Sequence, residues 1–203
     1  MAANPGRKTA HAVAKTKSSP RSAAPASAVA SQFFKTGVGQ YGEGDQFGIK
    51  VPVLHSYVRD LKGAGIEVTL PLLRSSWHEA RAAGLMLLVR IFQRGDEKTR
   101  KRIFGLYLKN TKFINNWDLV DVSAEHIVGV WLSDKPSARK LVLTRLAKSE
   151  SLWDRRIAIL ATFHYIKKGD VAETLRIAKL LLKDEEDLIQ KPLDGCCAKS
   201  ASG

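Results

Sequence analysis

A chain of 203 residues with 44% hydrophobic content is long enough for one or two domains with a substantial core. Its formal charge of +13 and pI near 9.9 point to a polyanionic partner, nucleic acid foremost, with a merely soluble basic protein as the plainer alternative. The only cysteines, Cys196 and Cys197, are adjacent, which excludes a disulfide framework and a zinc-ligand spacing and suits a reducing compartment; no apolar run reaches the length of a membrane span.

Residues 1–27 are rich in Ala, Ser, Pro and Lys and lack an apolar h-region, so they suggest a disordered basic arm rather than a secretory signal. An organelle transit peptide also fits that composition; the expected location otherwise is cytoplasmic, associated with nucleic acid. Arg7, Lys8, Lys15, Lys17 and Arg21 contribute +5 of the charge, and the remaining +8 belongs to the rest of the chain.

Order is expected from about Ala28, with a short helix over Ser27 to Lys35. The four glycines between Thr36 and Asp45 make a loop. This loop matches neither the P-loop nor the dinucleotide pattern, and Glu43 and Asp45 would repel phosphate. Pro52 suits the first position of a helix burying Val53, Leu54, Tyr57, Val58 and Leu61. Thr69 is placed to cap a short helix with Pro71 in its first turn. Ser76-Trp77-His78-Glu79 has the form of a capping box and opens an apolar helix that Gly95 stops. An amphipathic helix over 97–109 follows, turning Ile103, Phe104, Tyr107 and Leu108 inward. A helix capped by Asn116 then carries the stripe Trp117, Val120, Ala124, Ile127, Val128, Trp131. Further helices run from Pro136 to Ala147, from a second capping-box form at Ser151-Leu152-Trp153-Asp154 to about Lys167, and from Asp170 to Lys183.

No segment alternates as a strand does, so the expected fold is all-α. Trp77, Trp117 and Trp153 each head a helix and begin a two-helix unit about as long as a HEAT or armadillo repeat. That predicts a HEAT-like solenoid with a concave face, against the plainer reading of a helical bundle.

The chain holds no Ser-His-Asp set, no H-E-x-x-H and no histidine pair at metal spacing; His55, His78, His126 and His164 fall on separate helices. No structural metal is therefore expected. Asp121 stands out because it lies one turn after Trp117, within an apolar stripe. A carboxylate there needs a partner or a task, since burying an unpaired charge costs several kcal/mol. It either caps or pairs with an arginine, or it does chemistry. Of the consecutive Arg155 and Arg156, one must lean toward the face bearing Trp153, Ile157 and Leu160. There it would bind a phosphate or pair with Asp121 or Asp118.

These residues resemble the DNA alkylation repair enzymes, the AlkD-like DNA glycosylases built from HEAT-like repeats. The resemblance covers about residues 30–191. It rests on Lys35-Thr36-Gly37 through Gly44-Asp45, Gly48-Ile49-Lys50-Val51-Pro52, Asn116-Trp117-Asp118-Leu119-Val120-Asp121, and Leu152-Trp153-Asp154-Arg155-Arg156-Ile157-Ala158-Ile159. It implies a monomeric glycosylase that excises N3- or N7-alkylated purines from double-stranded DNA on a concave face, with neither metal nor nucleotide cofactor. It further implies Asp121 as the catalytic carboxylate with Trp117 beside it, Arg156 on a phosphate, and Tyr41 and Lys50 on the DNA.

The pattern departs after Lys191. Pro192 would interrupt a helix begun earlier, and residues 192–203 have no apolar periodicity. A disordered tail is expected there in place of the family's further helix with its cleft-lining aromatic, and a single lost base after the Lys191 codon would account for it. Two rivals remain: a non-catalytic module on the same scaffold that binds distorted DNA or RNA, and a helical-repeat protein adaptor. Excision that depends on Asp121 separates the enzyme from both.

Overall fold

The computed structural model describes residues 48–61 and 63–201, with side chains to Gly195. Tyr41, the Gly-rich loop, the short helix over 27–35 and the basic arm lie outside the described residues. Among the described residues there is no strand, only an isolated bridge residue at Trp77. The protein is an all-α helical repeat. No described helix is long and apolar enough to cross a membrane.

Helices α1 (Val51–Asp60), α2 (Ile66–Leu73), α3 (His78–Arg94) and α4 (Glu97–Lys109) come first. A 3-10 turn (Thr111–Phe113) leads to α5 (Trp117–Asp121), a π-helical turn (Glu125–Gly129) and α6 (Val130–Leu132). The chain ends with α7 (Pro136–Ala147), α8 (Leu152–Ala161), α9 (Phe163–Ile166), α10 (Ala172–Leu181) and α11 (Asp187–Ala201). Three units succeed one another: α3 with α4, the run α5 to α6 with α7, and α8–α9 with α10. Their leading helices start at N-caps Trp77, Asn116 and Ser151, which are 39 and 35 residues apart.

The tryptophans do not keep register with these starts. Trp77 is an N-cap, Trp117 the first helical residue and Trp153 the second. What does recur is an arginine four residues after the cap. Arg81 Nη1 donates to the Ser75 and Ser76 carbonyls at 3.0 and 2.9 Å. Arg155 Nη1 donates likewise to Ser149 and Glu150 at 3.1 and 2.8 Å. Each guanidinium ties a helix to the loop that enters it, satisfying carbonyls that no helix could take.

The core runs through α3 and α8. Ile157, Ala158, Ile159, Leu160 and Ala161 are all buried, so the apolar second half of α8 is enclosed on every side. It packs against α5, α7, α10, α11 and the π-helical turn. Gly129 permits the last contact: a Cβ there would lie 2.4 Å from the Ala161 carbonyl oxygen.

Several local expectations change. The Trp117 run is not a regular α-helix, but a helical path with a π-helical turn set into it. Ser123 Oγ bonds the Leu119 carbonyl at 2.6 Å and the Tyr107 hydroxyl at 2.9 Å, both buried, where the ladder shifts toward the π turn. Neither capping box forms. Glu79 accepts the Gly48 N–H at 2.7 Å instead, where the backbone has φ 73, and Asp154 accepts the Ser149 hydroxyl at 2.9 Å. Thr69 sits mid-helix and bonds the Ile66 carbonyl. In α1 only Leu54 and Val58 are buried; Val53, Tyr57 and Leu61 are exposed.

The expected disordered tail is also corrected. Helix α11 runs through Pro192, which is buried beside Leu193. Proline has no N–H for the carbonyl four residues back, that of Leu188. Arg156 Nη1 donates to that carbonyl, so the break in the ladder carries no orphaned acceptor.

Candidate active site

Asn116 opens α5 with its side-chain oxygen accepting the Trp117 N–H at 2.7 Å. This fixes the two carboxylates that follow in different surroundings. Asp118 Oδ1 accepts the Leu119 N–H at 2.8 Å, and Oδ2 lies 2.7 Å from Nε2 of the buried His78, tying α5 to α3. Asp121, one turn after Trp117, ends the helix with its side chain 39% exposed. Its Oδ1 accepts Arg156 Nε at 3.1 Å and Nη2 at 2.8 Å, while the Arg156 side chain is only 8% exposed.

Asp121 lies on the lip of a cleft of about 620 Å³. Val58, Met86, Val89 and Val122 supply its apolar lining; His55, Arg59, Arg90 and His126 supply nitrogen donors. The site thus pairs one carboxylate with a largely apolar recess that holds two arginines. Burial pushes the Asp121 carboxyl above the usual carboxylate range, the Arg156 guanidinium pulls it back, and the Asp118 charge adds to the rise. Above that raised pKa the cleft presents a fixed negative charge among cations. Such an arrangement attracts positive charge on a bound group at one point and phosphates around it. Among the described residues no group of three or more His, Cys, Asp or Glu side chains is arranged to hold a metal ion.

A model of the DNA alkylation repair enzyme family matches residues 20–193. The chain belongs to the DNA alkylation repair enzyme family. A solved structure, that of a predicted DNA alkylation repair enzyme from Enterococcus faecalis, aligns with a TM-score of 0.62 and 16% identity, covering 90% of this chain and 83% of that one. At that identity the likeness is one of fold. No curated protein matches.

In this DNA alkylation repair family member, α5 and the middle of α8 bring Asp121 and Arg156 together, and Trp117 lies one turn before Asp121 on α5. Of the two roles open to Arg156 from the sequence, the structure has it paired with Asp121. Arg155 turns away to Asp184, with Nε 2.6 Å from Oδ2. Lys50 caps α1 and is exposed, outside the cleft lining. It sits next to Gly48 and Ile49, whose N–H groups Glu79 holds. Tyr41 lies outside the described residues.

The sequence reading missed His55, Arg59, Arg90 and His126. The local signal existed: His55 and Arg59 are one turn apart on α1, as are Met86 and Arg90 on α3. What no local spacing could show is that α1, α3 and the π turn converge beside Asp121.

Proposed function

We propose that the protein is a DNA glycosylase that removes N3- or N7-alkylated purines from double-stranded DNA, with Asp121 as its catalytic residue. The observation that carries this reading is a fixed carboxylate on the lip of a largely apolar cleft that also holds Arg59 and Arg90, one turn from Trp117.

Alkylation at N3 or N7 makes the purine cationic, so the base leaves as a neutral molecule and needs little acid assistance. As the C1′–N bond breaks, the electron pair goes to the base and positive charge grows on the deoxyribose. Asp121 stabilises that charge and orients the water whose oxygen bonds to C1′; the water's proton passes to the carboxylate or to solvent. Trp117 presents a ring beside the sugar and excludes bulk water. Arg59 and Arg90, helped by Lys50, hold phosphates and make binding salt-dependent, and Tyr41 is assigned to the DNA by the family resemblance alone.

The test is free-base release from duplex DNA carrying 7-methylguanine, with unmodified duplex as control. Release from the lesion duplex alone is expected. Tight binding to the lesion duplex with no release would favour the non-catalytic module. Neither binding nor release would favour the protein adaptor.

A further inference from the structure

Arg156 is spent inside the protein. Nε and Nη2 converge on Asp121 Oδ1, and Nη1 donates to the Leu188 main-chain oxygen of α11. With its side chain 8% exposed and Nε, Nη1 and Nη2 each already donating, the guanidinium keeps only the second N–H of Nη1 and of Nη2 for any other acceptor. The second acceptor, the Leu188 carbonyl, exists because of a residue that belongs to no site. In an α-helix the Leu188 carbonyl would accept the N–H of residue 192, and Pro192 has none.

We infer that Arg156 is a positioning residue for Asp121, braced from behind by the Leu188 carbonyl that Pro192 leaves open, so that helix α11 sets the attitude of the carboxylate. The inference rests on the reading of Asp121 as the catalytic group. A guanidinium is a rigid planar fork, and donors bound to two elements fix its plane. Because both forward donors meet at Oδ1, the brace does not consume Oδ2. The other charged or titratable groups around Asp121 are Asp118 on its own helix, His55 and Arg59 from α1, Arg90 from α3, Tyr107 from α4, and His126 from the π turn. Arg156 is the group that hydrogen-bonds it. Phosphate contact then falls to the cations of the cleft and its approaches.

The experiment compares the full chain with Arg156→Gln, Arg156→Lys and Pro192→Ala, using two readouts that do not require turnover. One is the Asp121 carboxyl pKa by carbon-detected NMR titration. The other is the salt dependence of affinity for an unmodified duplex. Arg156→Gln should raise the Asp121 pKa. Arg156→Lys should raise it less, keeping the charge and losing the brace. Pro192→Ala, which restores an N–H to Leu188, should also raise it less than Arg156→Gln does. The salt slope should stay at the wild-type value in all three. A slope that falls by about one ion in Arg156→Gln and Arg156→Lys, with the Asp121 pKa unmoved, would make Arg156 a phosphate contact and overturn the inference. An unmoved pKa in a fully helical Pro192→Ala would overturn the part given to α11. If no base is released from any lesion, the glycosylase reading fails while these titrations still decide what Arg156 does.

Discussion

Asp118 and Asp121 lie three residues apart, and the fold gives them different work. Asp118 joins α5 to the buried His78 and caps its own turn, so its charge is spent on structure. Asp121 reaches the cleft with Arg156 at its back. The sequence displayed both carboxylates and offered Arg156 a choice of partners, but only the approach of α8 to α5 decides between them. Burial holds the Asp121 pKa above that of an ordinary aspartate, and the working form is the ionised one. Excision is therefore full above the raised pKa and declines as pH falls through it. The acidic limb should begin at a higher pH than the ordinary aspartate value of about 3.9 would place it. Single-turnover rates across pH check this, and an acidic limb at or below that value would contradict it.

At the scale of elements, most helices were legible because their ends are local. Asp96 caps α4, with its side chain accepting the Thr99 N–H at 2.8 Å, and Pro136 opens α7. Misreadings arose where a distant group claimed a local one. Glu79 left its own helix start for the Gly48 and Ile49 N–H groups, and Arg156 took the carbonyl that Pro192 freed. The π-helical turn was also hidden, because it depends on α8 packing against Gly129 and on the Tyr107–Ser123 bond between helices. Gly129→Ala should lower stability by about 1–3 kcal/mol, since the added methyl meets the Ala161 backbone, which cannot rotate aside. Urea denaturation of the two proteins measures it; an unchanged midpoint would mean that the π turn moves away from α8 at no cost.

For the whole molecule, the absence of strand alternation and the spacing of the helix starts correctly indicated an all-α repeat, and the paired motifs around Trp117 and Trp153 marked the family. Neither could show how the repeats bring α1, α3 and α5 together, and that convergence makes the cleft. The charge of +13 belongs to the same scale. Binding to duplex DNA should weaken steeply with salt, because each phosphate neutralised releases counterions. Replacing Arg59 and Arg90 together by Gln should reduce the slope of log affinity against log salt by about two ions at roughly 0.9 each. An unchanged slope would put the DNA on another face.

The most direct measurement of the central claim is single-turnover release of 7-methylguanine by the wild-type chain and by Asp121→Asn, with each protein saturating and its duplex affinity measured in the same buffer. The account predicts that Asp121→Asn binds DNA about as tightly as wild type and releases base slower by about two orders of magnitude or more, the scale of losing one preorganised electrostatic contact. Equal rates in the two proteins would contradict it and remove Asp121 from the chemistry.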